Sequence, residues 1–338
     1  MPYDGKLTKA DGPGQWWNGL DPQDLYEQRH ASSPGFDNVR SLWGSRWDWA
    51  DGVSQPDLAY CQRYYNRTMD LINRYHPDLI YFDDTALPLW PVSDAGLKIA
   101  AHFYNDNMAR HGGRLHAVLF GKVLDDEERQ AMVWDIERGV PATSLPRAWQ
   151  TDTCLGDWHY RRSIYEEGKY KSAPTVVQML ADIVSKNGNL LLNVPVRGDG
   201  TIDDKEEAIL QGIAAWMDVN KECIFDRKVF GEGPASDGAP ITAQGFNEGK
   251  GKPFTADDVR YTTKGGALYV IVLGPPDPGA AFETARHAGR RPRRQTAKIE
   301  RLGSTATVHW SQTADALTLE PGDLPADAHT VVYKLTGL

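Results

Sequence analysis

Short apolar strands alternate with helical patterns as far as about Phe230, and this alternation constrains the fold more than any other feature of the chain. The clearest unit is Tyr75–Asp84, YHPDLIYFDD. Pro77 and Asp78 break the helical pattern before it. Leu79, Ile80, Tyr81 and Phe82 are β-prone and too few for a helix. Asp83 and Asp84 follow at once. A carboxylate at the C-terminal mouth of a buried parallel strand is where α/β barrels place their chemistry. Asp after a strand also caps helices and starts turns, so the segment alone leaves both roles open. Side chains alternate along a strand, which puts Tyr81 and Asp83 on one face and Phe82 and Asp84 on the other. Only one of the two carboxylates can face a pocket.

The rest of the alternation reads as follows. Residues 1–56 are rich in Gly, Pro, Asp and Trp, and form an aromatic, loop-rich insertion. Asp57–Tyr75 is helical, and a second helix spans roughly Ser93–Arg110. Leu115–Val123 is a strand, followed by an acidic segment, Leu124–Arg138. Ala148–Leu155 is a strand and Thr175–Lys186 an amphipathic helix. Asn187-Gly188-Asn189 stops that helix, with Gly188 at the position that tolerates positive φ. Asn189–Val196 is a buried strand and Lys205–Val219 a helix. About four parallel strands are legible, where a closed (β/α)₈ barrel needs eight. Beyond Phe230, Gly/Pro-rich joints separate Gly266–Leu273, Thr296–Leu302, Thr305–His309, Leu317–Glu320 and Thr330–Leu335, the pattern of an antiparallel β-sandwich. The expected division is therefore 1–227, an α/β partial barrel, and 228–338, a β-sandwich.

Composition removes several classes. The formal net charge is −9, which argues against a nucleic-acid partner. The dense basic run Arg286–Arg294 reads as a solvated loop. No stretch approaches the ~20 apolar residues of a membrane span. Met1 is not followed by the apolar core of a signal peptide, and the cell location stays open. Three cysteines without a close pair suggest neither a disulfide framework nor a zinc site. The nine histidines show no metal-ligand spacing, and no cofactor is implied. Eleven Trp and fourteen Tyr tilt the reading toward a carbohydrate site, since aromatic rings stack on sugar faces as well as filling cores.

Three segments are more specific together than any one alone: PDLIYFDD (Pro77–Asp84), AWQTDTCLGDWHY (Ala148–Tyr160) and LADIVSKNGNLLLNVPVRGDGTI (Leu180–Ile202). Together they resemble glycoside hydrolase family 29, the α-L-fucosidases. The resemblance is strongest over residues 60–225 and weak in the β-rich part. It implies a retaining exo-α-L-fucosidase on a (β/α)₈-like barrel, with two carboxylic groups flanking the glycosidic bond. The family's nucleophile is the Asp of a P-D-x-x-W/Y-x-D pattern, here Asp83. Some members have Trp-Glu where this chain has Trp149-Gln150, and Gln150 cannot act as an acid. Glu137, in WDIERG, is the implied acid/base, with Asp135 as the alternative and an Arg138 ion pair as the bland reading of Glu137. Trp158 and Tyr160 occupy the place of the family's S-W/F-G-Y motif, although Asp157 and His159 depart from it. Lys122 stands where some members carry Arg near the nucleophile; a solvated strand-end lysine is the other reading. Tyr81, on the face of Asp83, completes the expected substrate-binding set.

The family's H-W-G and H-H-D-G segments, whose histidines bind fucose hydroxyls, are not found in these 338 residues. The chain is accordingly expected to hold the C-terminal half of the barrel, and to form a homo-oligomer across its open edges. Three hypotheses follow: an α-L-fucosidase acting on fucosylated glycans, a catalytically impaired glycan-binding protein, and a metal-dependent phosphohydrolase built on Asp83 and Asp84. The last lacks a downstream set of metal ligands.

Overall fold

The computed structural model describes residues 7–25, 56–83, 89–90, 92–122, 124–229, 247–275, 282–284, 298–313, 317–325 and 328–337. Asp84, the Arg286–Arg294 run and most of the aromatic insertion lie outside the described residues. The chain divides into two units, Met1–Trp134 and Asp135–Leu338.

In the first unit, helix α1 spans Leu58–Tyr75. The Asp57 carboxylate caps it by accepting from the Tyr60 N–H at 2.6 Å. It ends at His76 in the left-handed region (φ 45°), and Pro77 follows, so the helix cannot continue. Strand β1 is Leu79–Phe82, helix α2 Ala95–Arg110 and strand β2 Val118–Gly121. Strand β3, Val133–Asp135, begins in this unit. β1 pairs β2 in parallel, Ile80 with Leu119 and Tyr81 with Phe120, and β2 pairs β3 in parallel through Phe120 and Val133. The core sits between helices and sheet: Ile72 from α1, Ile99 and Phe103 from α2, and Leu119 from β2, with Ile80 and Phe82 packed against them. One face of β1 and β2 is thus the helix face, and it carries Ile80, Phe82 and Leu119.

Strand β2 is shorter than its apolar run suggests. The buried Asn107 side chain takes the His116 N–H at 2.8 Å, which diverts that amide from the ladder. Strand β3 was hidden inside the acidic segment; a strand of three residues has no period to read.

The second unit holds strand β4 (Trp149–Cys154), helix α3 (Arg162–Glu167), helix α4 (Ala173–Ser185), strand β5 (Gly188–Asn193) and helix α5 (Asp204–Asn220). β4 and β5 are parallel, Trp149 opposite Gly188 and Cys154 opposite Asn193. The left-handed residue after α4 is Asn187 (φ 71°) rather than Gly188. Gly188 opens β5 for a different reason: a Cβ there would lie 2.4 Å from the Trp149 ring and 2.8 Å from Ile183. Asn takes the helix stop because its short polar side chain tolerates that conformation.

Eight short strands follow: β6 (Lys228–Val229), β7 (Val259–Lys264), β8 (Ala267–Val272), β9 (Phe282–Thr284), β10 (Lys298–Arg301), β11 (Trp310–Gln312), β12 (Leu317–Leu319) and β13 (Val331–Thr336). They make two antiparallel sheets, ordered β10-β13-β8-β7-β6 and β11-β12-β9. Gly265 and Gly266, both at positive φ, close the β7–β8 hairpin. The strand expected at Thr305–His309 is instead irregular chain after a turn at Gly303 (φ 74°), with the Ser304 hydroxyl accepting from the Ala306 N–H; pairing resumes at Trp310. β8 is buried on both faces. Leu268, Val270 and Val272 join a core with Leu317 and Leu319 of the smaller sheet, while Ala267, Tyr269 and Ile271 pack with Val177, Val184 and Trp216 of α4 and α5. Asp182 of α4 binds Arg260 of β7 at 2.5 Å and Lys186 at 3.0 Å, all three buried, so the helix is tied to the larger sheet by charge as well.

Candidate functional site

In the first unit the expected site residues lie on the face of β1 and β2 opposite to α1 and α2. Pleating turns Ile80, Phe82 and Leu119 to the helices, so Tyr81 and Phe120 face the other way, and Asp83 and Lys122 continue that face. The Lys122 ammonium donates to Asp83 Oδ1 at 2.9 Å. Its side chain is 7% exposed, whereas that of Asp83 is 75% exposed. The Tyr81 ring centroid lies 5.9 Å from the ammonium and 6.2 Å from the Phe120 ring. Asp83, Lys122 and Tyr81, three of the residues expected at the site, are therefore gathered at the C-terminal ends of two adjacent strands.

In the second unit, Trp149 and Gly188 face α4, so the side chains between them in the alternation, Gln150 and Asp152, face away from it. Asp135, the last residue of β3 and 1% exposed, lies on that same face, where it accepts from Gln150 Nε2 at 2.6 Å. The chain then runs on beside β4. The Ile136 N–H donates to the Gln150 carbonyl at 2.8 Å and the Arg138 N–H to the Asp152 carbonyl at 3.0 Å. The half-buried Glu137 lies between these two bonds, in the turn that follows β3. Gln150 is thus accounted for without acid chemistry, since its amide is the buried partner of Asp135.

Trp158 and Tyr160 follow β4, both half-buried. Asn193, at the end of β5, donates to the Asp157 carbonyl at 3.2 Å and the Trp158 carbonyl at 3.1 Å, which ties this loop to the sheet. The Asp157 carboxylate takes the Trp158 N–H at 2.9 Å and pairs with Arg161 at 2.6 Å. The Tyr160 ring centroid lies 5.9 Å from the Arg197 guanidinium. Among the described residues, no group of three or more His, Cys, Asp or Glu is placed to hold a metal ion, and no helix is long and apolar enough to cross a membrane.

Sequence reasoning missed Asp152, Asn193 and Glu248. The first was readable, since the alternation that places Gln150 places Asp152 too. Glu248 gave no signal: its partners Thr153 and Arg138 lie 95 and 110 positions away.

Parallel strands whose C-terminal ends carry carboxylates, followed by antiparallel sheets, define an α/β protein with an added β-rich part, the layout in which α/β enzymes place polar chemistry at strand ends. The particular family comes from comparison. The alpha-L-fucosidase family model matches residues 22–222, more than half of the chain, and the chain belongs to that family. It is 25% identical over 292 residues to the tissue alpha-L-fucosidase of Bos taurus, covering 80% of this chain and 53% of that protein. To the plasma alpha-L-fucosidase of Homo sapiens it is 28% identical over 235 residues, covering 62% and 47%. The chain thus spans about half the length of the curated relatives it matches. Among solved structures, the Thermotoga maritima alpha-fucosidase in complex with a mechanism-based inhibitor aligns with a TM-score of 0.59 at 20% identity, over 83% of this chain and 57% of that one. A Bacteroides thetaiotaomicron alpha-L-fucosidase, a trapped covalent intermediate, aligns at 0.58 with 15% identity, over 82% and 61%.

Proposed function

We propose that the chain is a retaining exo-α-L-fucosidase that removes terminal α-L-fucose from fucosylated glycans, residues 1–227 being the C-terminal half of a (β/α)₈-like barrel and 228–338 a β-sandwich. Asp83 attacks the anomeric carbon, and the C1–O bond to the leaving group breaks. Glu137 gives its proton to the departing oxygen, then takes one from the water that releases fucose. Lys122 holds one Asp83 oxygen and leaves the other for attack. Tyr81, Trp158 and Tyr160 offer apolar surface to the sugar. The observation that supports this reading is Asp83: it lies within the residues the family model matches, at the end of β1 on the face opposite to α1 and α2, and has a buried cation on one oxygen. Further support is the trapped covalent intermediate of the Bacteroides thetaiotaomicron relative, obtained with a Glu-to-Gln mutant. Strand β1 has a strand partner on one side only among the described residues, and Leu79 on it is exposed, which supports association into a homo-oligomer.

The second reading is a glycan-binding protein of impaired activity. Hydrolysis of 4-nitrophenyl α-L-fucoside followed by proton NMR separates the two. The proposal predicts turnover with α-L-fucose as the first-formed anomer. Binding without turnover supports the second reading, and β-L-fucose formed first contradicts the retaining mechanism.

A further inference from the structure

The turn that carries Glu137 is held from the face of β4 opposite to that of Gln150 and Asp152. Arg138 sits at φ 46°, a strained conformation for a residue with a side chain. Something must over-determine it, and a distant segment does. The Glu248 N–H donates to the Arg138 carbonyl at 2.9 Å. The Glu248 carboxylate accepts from Arg138 Nε at 3.3 Å and Nη2 at 3.4 Å, from Thr153 Oγ1 at 2.6 Å and from Lys171 Nζ at 2.7 Å. Its neighbour Asn247 closes a two-way pair with Val140: the Val140 N–H donates to Asn247 Oδ1, and Asn247 Nδ2 donates to the Val140 carbonyl, each at 2.9 Å. Thr151 completes the grip by donating to the Ile136 carbonyl at 2.8 Å and accepting from the Gly139 N–H at 3.3 Å. Thr151 and Thr153 alternate with Gln150 and Asp152, so this grip acts from behind the carboxylate-bearing face.

Burial works against ionisation of Glu248, but the bonds from Lys171, Thr153 and Arg138 outweigh it and hold the carboxyl below its ordinary range. It is an anion at neutral pH and has no proton to give. Its place is structural with respect to the chemistry, and what it fixes is the residue next to Glu137.

We infer that Asn247 and Glu248 form a positioning clamp that sets the direction of the Glu137 carboxylate. The inference rests on the reading of Glu137 as the acid/base. A clamp of this kind should matter most where proton delivery matters most, with leaving groups whose alkoxides are basic. Misplacement of a catalytic group by about 1 Å can cost on the order of 10²-fold.

The test uses the full chain with Asn247→Ala, Glu248→Ala and Glu248→Gln. Amide hydrogen exchange reads the turn directly, whether or not substrate turns over. Exchange at Ile136–Val140 should rise at least about 10-fold in both alanine variants, with β4 and β5 unchanged. Activity on a poor leaving group should fall about 10-fold further than on 4-nitrophenyl α-L-fucoside, and Glu248→Gln, which keeps the shape and an accepting oxygen, should recover part of the loss. Unchanged exchange at the turn, or a rise spread over β4 and β5, overturns the clamp. So does an equal loss on both substrates. The control is Glu137→Gln. If that variant lacks the leaving-group dependence, the acid/base reading fails and this inference with it. If it keeps the dependence while the clamp variants do not share it, only the clamp fails.

Discussion

Asp83 and Lys122 differ sharply in burial, and the difference matters. A buried ammonium needs a carboxylate partner, so Lys122 gives Asp83 a fixed rotamer that an exposed side chain would otherwise lack. Asp83→Gly should abolish turnover, with partial recovery by azide, because a small anion can fill the gap; an Asp83→Gly variant of normal activity would remove the assignment. Glu206 offers a second test, of pH dependence. It is fully buried at the start of α5, and neither carboxylate oxygen has a hydrogen-bond partner among the described residues. Burial, with the charge of Asp203 added, raises its pKa. A carboxyl with a folded pKa above its unfolded value is penalised as pH rises through that range, so stability grows as pH falls from neutral. Glu206→Gln should raise Tm at pH 8 by about 2–4 °C and leave it unchanged at pH 4. Equal shifts at both values in differential scanning fluorimetry would contradict this. Asp83 was legible because strand alternation and motif agree on it. The pairing of Gln150 with Asp135 was not, because β3 itself could not be read.

The elements themselves were legible where a period or a cap was present. Asp57 and Asp203 cap α1 and α5 close to where their sequences predict. Of the three-residue strands, β12 was legible at Leu317–Glu320, but β3 was not, since so short a run inside an acidic segment has no period to read. Gly188 shows the same limit from the other side. Its Asn-flanked setting suggested a positive φ, but its true constraint is the Trp149 ring, which no local pattern reveals. Gly188→Ala should therefore destabilise by about 1–3 kcal/mol through overpacking. Chemical denaturation checks it. A cost under about 0.5 kcal/mol would mean that Trp149 moves aside readily.

Across the molecule, the parallel strands and the antiparallel sheets were both anticipated, and the two-sided burial of β8 was not. It depends on α4 and α5 covering one face and the smaller sheet the other. The side of β1 that has no strand partner among the described residues predicts association. Light scattering should give a mass above the 37.6 kDa of one chain, and a fully active monomer would contradict that. Everything proposed for the chemistry depends on Asp83 forming a covalent bond to fucose, and trapping that bond is the sharpest test. The chain is incubated with 2-fluoro-fucosyl fluoride, digested with trypsin and read by fragmentation mass spectrometry. One 2-fluoro-fucosyl adduct, formed with loss of the anomeric fluoride, is expected on the peptide Tyr75–Lys98, at Asp83. An adduct at Asp84 or on any other carboxylate, or turnover of the activated fluoride with no adduct at all, would refute the assignment.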